Sequence, residues 1–306
     1  MAVPFRRYFG RLFPKSIRPA IKARAFTITT RRFHGQPRVA LQVFDDGETG
    51  RLAFNGTTVL LPQPFASIEG GWLAEHAEDV LEIEAFLKLA PHAGGLMLDV
   101  GAHVGTFAAL FGKVSAHDVL CFDPVPRSQN LIEQTVALNG LDGRVQVIPV
   151  AVSDRLGEIE MHIDPVTGFA LAQNYEATAG AMDGTLRVPT TTIDALRSET
   201  SKPIGMIKID VEGFEAEVLA GAPETLRRDR PLLAVEIHHD YLRERGVSPA
   251  RVLRRLESSD YALLRLSGKR MSARAAARTF LPRAHVLAVP RERRDECERI
   301  LRGSGR

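Results

Sequence analysis

Acidic and histidine side chains follow two apolar segments that have the character of buried strands. IKIDVEGFEAEVLAGA places Asp210 and Glu212 directly after its apolar residues, and LLAVEIHHDY contains Glu236 and His238 near its end. A carboxylate at the end of a buried strand must be solvated, paired with a cation or used in binding or catalysis, because burying an uncompensated charge is costly. Two carboxylates and a histidine at one edge could remove a proton from a substrate or bind a metal ion.

A glycine-containing turn earlier in the chain could bind a ligand through its backbone. In MLDVGAHVGTFAALFG, Asp99 closes a strand, and Gly101 and Gly105 enclose Ala102 and His103 before a helix. Glycine permits close backbone approach, and the first amides of the helix point towards a bound group. The spacing differs from the G-x-G-x-x-G of dinucleotide sites, and the Asp99 carboxylate would repel a phosphate. The turn therefore favours a ligand that carries an amino group.

Two further aspartates follow predicted strands. Asp123, in VLCFDPVP, lies about 20 residues beyond the glycine turn, where a carboxylate can accept hydrogen bonds from both hydroxyls of a ribose. In VAVSD, Val152 could form an apolar wall for adenine, and Asp154 could accept a hydrogen bond from its amino group. The pair SD is also a common turn and helix-cap pattern. Together, these motifs indicate an adenosine-containing ligand at a switch point of a parallel sheet.

The elements that must position these residues alternate between strands and helices. Apolar segments of strand length are predicted at 96–100, 118–122, 145–150, 204–210 and 232–238, and helices at 105–113, 127–138 and 214–226. This alternation predicts an α/β domain with a mostly parallel sheet. Residues 155–200 are expected to form an insertion of short strands and a loop. Two late strands are predicted at 261–266 and 285–289, followed by a charged terminal helix.

The N-terminal region differs from the rest in charge. No acidic residue precedes Asp45, whereas arginine and lysine accumulate there. We predict two regions, a basic extension with short strands at 1–75 and a Rossmann-like domain at 76–306. The basic arm could contact an anionic membrane surface or an acidic partner, or it could be a solvated extension. The pattern gives no strong signal for nucleic-acid binding, and nothing favours a particular oligomeric state.

The bulk composition bounds the class of protein. The chain has 306 residues, 44% of them hydrophobic and 25% charged, with a net charge of +3, as in an ordinary globular protein. Two cysteines, Cys121 and Cys297, exclude a disulfide framework and lack the spacing of a zinc site. No apolar segment approaches the roughly 20 residues that span a bilayer. We therefore expect a cytoplasmic protein, peripheral at the inner membrane surface if the basic arm binds lipid.

In order and spacing, five motifs resemble those of the FkbM family of S-adenosylmethionine-dependent methyltransferases. They are LDVGAHVGTFA, FDPVP with LIEQTVALNG, VAVSD, TTTIDAL and IKIDVEGFEAEVLAGA, of which the last is the most diagnostic. The resemblance covers residues 95–265. It implies a class I methyltransferase fold, with a mostly parallel seven-stranded sheet whose last strand is antiparallel.

The same resemblance implies a cofactor and an activity. The cofactor is S-adenosyl-L-methionine, and the methyl group usually goes to an oxygen. By position, the methionine part would contact the glycine turn with Asp99, Gly101, Ala102, His103 and Gly105. Asp123 would hold the ribose, in a place where glutamate is more common, and Val152 and Asp154 would lie on the adenine side. The acceptor would be a hydroxyl of a sugar, a glycan or a secondary metabolite.

At the acceptor side, we expect Asp210 to orient or deprotonate the hydroxyl, with help from Glu212 or His238. Glu212 could instead cap the helix that follows it. We expect His239 to be solvated at the surface. The preferred assignment has no metal ligands, and the alternative is a metal-assisted reaction with Asp210 and Glu236 as oxygen ligands.

Two other classes of function stay open. One is an NAD-dependent Rossmann oxidoreductase or a nucleotide-sugar enzyme, which the missing G-x-G-x-x-G and the acid at Asp99 oppose. The other is a non-catalytic binding module whose working part is the basic arm, which the intact cofactor motifs oppose. Calorimetry with S-adenosylmethionine and with NAD would separate the three.

Overall fold

The computed structural model describes residues 25–29, 40–45, 49–54, 57–62, 77–163, 170–171, 184–277 and 283–303. Most of the basic arm, including the proposed membrane or partner contact, lies outside these residues, and so does most of the predicted loop between 164 and 183. Within the described ranges, no helix combines the length and the apolar character needed to cross a bilayer.

The helices and strands follow one another along the chain as an α/β domain preceded by four strands. In chain order they are β1 (Ala25–Thr29), β2 (Ala40–Asp45), β3 (Thr49–Phe54), β4 (Thr57–Pro62), α1 (Ala77–Leu89), β5 (Leu96–Val100), α2 (Thr106–Val114), β6 (Val119–Phe122), α3 (Pro126–Leu138), β7 (Val145–Ile148), β8 (Ala151–Val152), β9 (Gly157–Ile163), β10 (Ala170–Leu171), β11 (Gly184–Thr191), α4 (Ile193–Ser198), β12 (Ile204–Ile209), α5 (Glu215–Ala220), α6 (Pro223–Arg228), β13 (Leu232–His238), α7 (His239–Glu244), α8 (Pro249–Ser258), β14 (Tyr261–Leu264), β15 (Arg270–Met271), α9 (Ala273–Ala276), β16 (Arg283–Pro290) and α10 (Arg294–Arg302).

The central sheet has the strand order β15-β14-β16-β13-β12-β5-β6-β7. The five strands from β13 to β7 run parallel, and β16 is inserted antiparallel between β13 and β14. The predicted class I methyltransferase fold, a mostly parallel sheet with an antiparallel last strand, is thereby confirmed. The two-residue strand β15 adds an eighth member to the predicted seven. Because the chain moves outward in opposite directions from β5 and β12, a crevice opens at the carboxyl ends of these two strands.

One predicted helix is divided in two. The helix predicted at 214–226 ends at Ala220, and a second helix begins at Pro223. A Cβ atom on the intervening Gly221 would lie 2.1 Å from the carbonyl oxygen of Ser153, so the chain packs too closely there for a side chain. The carboxylate of Asp194 then caps the second helix by accepting hydrogen bonds from the backbone amides of Glu224 and Thr225, at 3.0 and 2.8 Å.

The insertion predicted at 155–200 is confirmed as a second, small sheet. β11 pairs antiparallel with β9 and, at its far end, parallel with β8. This small sheet therefore includes the strand that carries Val152, one of the two predicted adenine-side residues.

The N-terminal strands form a third sheet, in the order β1-β2-β3-β4. Buried side chains of β3 and β4, among them Phe54 and Leu61, belong to the same hydrophobic cluster as Phe86 of α1 and Phe111 of α2. The strands before residue 75 thus share one core with the helices after it. The division between residues 75 and 76 stays a prediction about the sequence.

The side chain of Asn139 binds the backbone of Leu60 at the edge of β4. Its Oδ1 accepts a hydrogen bond from the backbone amide of Leu60 at 2.9 Å, and its Nδ2 donates to the carbonyl of the same residue at 2.7 Å. The Nδ2 also donates to the carbonyl of Thr135 at 2.7 Å, which ties the contact to α3. The amide of Asn139 therefore takes the place of a neighbouring strand.

We expect Asn139→Ala to lower the free energy of unfolding by about 2 kcal/mol, because two backbone groups of Leu60 lose their partner in a partly buried place. Urea denaturation followed by circular dichroism measures the change. Asn130→Ala, on the exposed side of the same helix, is the matched control and should stay within about 0.5 kcal/mol of the wild type. Equal effects of the two substitutions would contradict this role of Asn139.

Candidate active site

The residues predicted to do chemistry follow four neighbouring strands at one edge of the sheet. β5 is followed by the glycine turn, β6 by Asp123, β12 by Asp210, and β13 ends at His238. Parallel strands bring their carboxyl ends to the same edge, so the structure gathers these residues from four distant parts of the chain.

The turn after β5 is packed directly against the end of β12. Gly101 has a φ of +83°, and a Cβ atom there would lie 1.8 Å from the carbonyl oxygen of Asp210. The backbone amide of Asp210 donates to the carbonyl of Val100 at 3.0 Å. Gly105 also has a positive φ, and a Cβ atom there would press on Ile132 at 3.2 Å. Both glycines are thus required by conformation and by space.

Asp99 lies buried beneath this turn. Its Oδ2 accepts a hydrogen bond from the backbone amide of Ala108 at 3.1 Å, whereas its Oδ1 has no hydrogen-bond partner among the described residues. Burial raises the pKa of Asp99 to about 6, although the nearby Lys208 acts in the opposite direction. An unsatisfied carboxylate oxygen in a buried place is suited to a cationic or hydrogen-bond-donating ligand group.

Asp123 is held by the backbone on both sides. Its Oδ2 accepts from the amide of His103 and its Oδ1 from the amide of Val125, each at 3.0 Å. Burial raises the pKa of Asp123 to about 6 in spite of these bonds. His103 has a positive φ of 53°, and burial lowers the pKa of its imidazole to about 4, so the ring is neutral. The side chain of Ser128 also hydrogen-bonds this carboxylate, which leaves one of its four lone pairs for a ligand.

The two adenine-side candidates differ in position. Val152 is buried, while Asp154 is exposed and forms an ion pair with Arg155 at 3.5 Å. The buried valine suits an apolar wall. The contact of Asp154 with an adenine amino group stays a prediction.

A buried lysine lies directly beside Asp210. The Nζ of Lys208, a residue of β12 that is 2% exposed, donates to Oδ2 of Asp210 at 2.9 Å and lies 4.5 Å from the ring centre of Phe107. Burial acts to raise the pKa of Asp210, but Lys208 and then His238 outweigh it and hold that pKa well below its usual range. Burial acts to lower the pKa of Lys208, but Asp210 and further carboxylates raise it. Both groups are therefore charged at neutral pH.

His238 is surrounded by carboxylates. Its Nδ1 lies 2.8 Å from Oε1 of Glu215, and its Nε2 lies 3.4 Å from Glu212, 3.6 Å from Glu236 and 3.8 Å from Asp210. Burial acts to lower its pKa, but the bond to Glu215 and the other carboxylates raise it to about 10. The ring is thus an imidazolium at neutral pH and has no free lone pair with which to accept a proton.

A second set of charges lies behind His238. Arg283 donates to Glu236 at 2.8 Å and to Asp79 at 2.9 Å. The imidazole of His285 pairs with Asp79 at 2.9 Å and with Glu82 at 3.2 Å. Burial raises the pKa of Glu236 to about 8. These groups connect α1 and β16 to the site at the end of β13.

Two sequence-based expectations are wrong in detail. Glu212 does not cap the following helix, and its side chain is half exposed. The backbone amide of Gly213 donates instead to Oε1 of Glu215 at 3.0 Å. His239, expected at the surface, is fully buried. The reason is that the chain turns into α7 directly after β13, which directs this ring inward.

Sequence reasoning missed Lys208, Glu215, Arg283 and His285. Lys208 carries a visible signal, because a lysine inside the apolar run IGMIKI can only be buried with a partner. Glu215 stands three residues after Glu212, in a segment that also reads as an ordinary helix start. Arg283 and His285 give no local signal, since their partners lie on α1 and β13.

Two curated relatives match a large part of the chain. The 2-O-methyltransferase NoeI of Sinorhizobium fredii is 28% identical over 206 residues, which are 60% of this chain and 79% of that protein. The hexuronic acid methyltransferase AglP of Haloferax volcanii is 26% identical over 195 residues, which are 63% of this chain and 74% of that protein.

Solved structures of similar shape include two methyltransferases. The methyltransferase FkbM from Methylobacillus flagellatus has 15% sequence identity and a TM-score of 0.41, and the alignment covers 75% of this chain and 56% of that one. A putative methyltransferase from Streptococcus mutans, solved in complex with SAH, has 12% identity and a TM-score of 0.42, with 69% and 97% covered.

The family assignment comes from the sequence of the α/β domain itself. The family model described as the Methyltransferase FkbM domain matches residues 99–263, more than half of the chain. The match begins at Asp99 of the glycine turn and contains Asp123, Asp210 and His238. The chain belongs to the FkbM methyltransferase family and is a methyltransferase.

Proposed function

We propose that this methyltransferase uses S-adenosyl-L-methionine and methylates a hydroxyl group of a sugar or glycan. The observation that carries the proposal is the meeting of Asp99, the glycine turn and Asp123 with the charged group around Asp210 at one edge of the sheet. One half of this edge suits a nucleoside joined to an amino acid, and the other half suits a polar acceptor.

The cofactor half fits S-adenosylmethionine in three respects. The Oδ1 of Asp99, which has no hydrogen-bond partner in the described structure, suits the amino group of the methionine part. Gly101 and Gly105 leave backbone without side chains beside it. Asp123 is held by two backbone amides in an orientation suited to the ribose hydroxyls. A buried Asp99 also opposes the pyrophosphate of NAD, because like charges repel.

When bound, the cofactor supplies an electrophilic methyl group on its sulfonium. The protein must hold an acceptor oxygen in line and manage its proton. Asp210 remains an anion because of Lys208, so it can accept a hydrogen bond from the acceptor hydroxyl and fix its direction. His238 is already protonated and acts by positioning the carboxylates around it. Glu212, half exposed beside these groups, has a pKa that desolvation raises to about 7, so its ionised form can take the proton that the hydroxyl loses and release it to solvent.

The acceptor class follows from the charge of this half of the site and from the relatives. The accessible groups of the β12–β13 half of the site are carboxylates, which accept hydrogen bonds from hydroxyl groups. The side chains of Asp210 and Glu212 are 29% and 50% exposed. A 2-O-methyltransferase and a hexuronic acid methyltransferase are among the relatives. A polyhydroxylated acceptor agrees with both observations.

Titration calorimetry with S-adenosylhomocysteine tests the cofactor assignment. We expect saturable binding to the wild type, no binding of NAD, and at least tenfold weaker binding to Asp123→Ala, because the ribose hydroxyls lose an acceptor. Asp118→Ala, which removes a surface carboxylate paired with Lys202, is the control and should bind normally. Binding of NAD in place of S-adenosylhomocysteine would show that the proposal is wrong.

The affinity should also depend on pH. Asp99 and Asp123 both have pKa values of about 6 in the free protein, and the ligand prefers their ionised forms. Binding is therefore strongest above pH 6 and is lost as the pH falls through that value, by up to tenfold per unit and per group. Calorimetry with S-adenosylhomocysteine between pH 8 and pH 5 measures this. An affinity that does not fall in this interval would contradict the assignment of both carboxylates.

For the transfer step, we expect Asp210→Asn to lower kcat by at least 100-fold, because the acceptor loses an oriented anionic partner. The cofactor affinity should change less than threefold. Mass spectrometry of a sugar or glycan extract, which detects the gain of one methyl group, gives the rate. Asp240→Asn, an exposed acid paired with Arg243 beyond the same edge, is the control. Full turnover by Asp210→Asn would remove Asp210 from the mechanism.

A further inference from the structure

We propose that His238, Asp210 and Glu236 bind one divalent metal ion, of the Mn²⁺ or Mg²⁺ class, at the acceptor side of the site. The ion would bind the acceptor oxygen, and this role alone rests on the proposed methyl transfer.

The ligand atoms are already gathered around one point. One atom from each of the three residues lies within 4.8 Å of the other two, and the nearest oxygens of Glu236 and Asp210 lie 3.6 and 3.8 Å from Nε2 of His238. Ligands at about 2.1 Å from a small divalent ion are separated by up to about 4.2 Å, so these spacings need little change. Glu212, at 3.4 Å from the same nitrogen, offers a further oxygen from a more exposed side chain.

His238 has the orientation of a metal ligand, and the ion would displace the proton from its Nε2. Its Nδ1 contacts the fully buried Glu215 at 2.8 Å, an arrangement that in metal sites fixes the ring and leaves the other nitrogen for the ion. Tyr241 stacks on the ring with 14° between the planes. The Nε2 of this buried residue faces the carboxylate oxygens of Glu212, Glu236 and Asp210 at 3.4, 3.6 and 3.8 Å.

The charge of the surrounding network also calls for a cation. Ion pairs connect ten side chains, the carboxylates of Asp79, Glu82, Asp210, Glu212, Glu215 and Glu236 and the cations Lys208, His238, Arg283 and His285. Six carboxyl groups stand against four basic groups, so the carboxyl groups outnumber their basic partners by two. A divalent ion would replace the protons that otherwise balance them.

Neighbouring cations hold the outer sides of two ligands. Lys208 bonds Oδ2 of Asp210, while Oδ1 of the same carboxylate faces His238 and accepts no hydrogen bond from a described residue. Arg283 donates to Oε1 of Glu236 and leaves one lone pair of that oxygen for an ion. These contacts orient the carboxylates in the way that second-shell partners orient metal ligands.

An adjoining cluster of Asp79, Glu236 and His285 is a poorer site. Both ring nitrogens of His285 lie next to carboxylates, at 2.9 Å from Asp79 and 3.2 Å from Glu82, so neither is directed at an open position.

Carboxylates with a single imidazole favour Mn²⁺ and Mg²⁺ over softer ions, which prefer sulfur or several imidazoles.

The test is a titration of the chelator-treated, full-length protein with MnCl₂, without cofactor, followed by the electron paramagnetic resonance signal of free Mn²⁺. We expect one saturable site per chain. His238→Gln and Asp210→Asn should each weaken Mn²⁺ binding by at least tenfold, and Glu215→Gln by about 10- to 100-fold, because it frees the ring of His238. Mg²⁺ should displace the bound Mn²⁺.

Glu217→Gln is the matched control, because Glu217 lies on the same helix as Glu215 but pairs with Arg245. It should bind Mn²⁺ as the wild type does, and circular dichroism checks the folding of each variant. The proposal is wrong if the wild type shows no saturable site, or if His238→Gln and Asp210→Asn both bind Mn²⁺ with unchanged affinity. In the first case the excess charge is balanced by protons or by a cationic ligand. Saturable Mn²⁺ binding by a protein that binds no S-adenosylhomocysteine would uphold the metal site and refute the proposed function.

Discussion

The buried ammonium of Lys208 sets the constraint on which the arrangement of the site depends. An isolated charge within a strand that is buried on both faces would cost several kcal/mol, so the fold must bring carboxylates to it. The carboxylate of Asp210 pairs with the ammonium at 2.9 Å, and the aromatic face of Phe107 covers the ammonium on another side. In return, the lysine keeps Asp210 ionised. The carboxylate of Asp210 stays anionic at the edge of the sheet because the strand beneath it carries a cation.

The strand order turns this local pairing into a site with two halves. Since β5 and β12 lie side by side with their connections leading in opposite directions, the residues that follow them face a common crevice. The β5–β6 side carries backbone amides and carboxylates suited to a nucleoside. The β12–β13 side carries a dense ion-pair network that extends to α1 and β16. That network depends on the antiparallel β16, which places Arg283 and His285 beside Glu236.

The sequence predicted those parts of the structure whose signals are local. The strands at 96–100 and 232–238 coincide with β5 and β13, because each is a short apolar run with a polar end. Asp99, Asp123 and Asp210 could be found for the same reason. The partners of these residues could not, because pairs such as Arg283 with Asp79 join positions 204 residues apart. The charge state of His238 could not be predicted from the sequence either, because it depends on four carboxylates. One of them, Glu215, is brought to the ring by the fold of the turn at Gly213.

The contact between Gly101 and the carbonyl of Asp210 joins the two halves mechanically. No side chain separates the two backbones there, and the amide of Asp210 is bonded to Val100 in the same place. A tightly packed interior transmits displacement instead of absorbing it. The glycine turn and the backbone of Asp210 are therefore held at a fixed spacing. Under the proposed function, the same stretch of main chain sets the distance between the methyl donor and the acceptor hydroxyl.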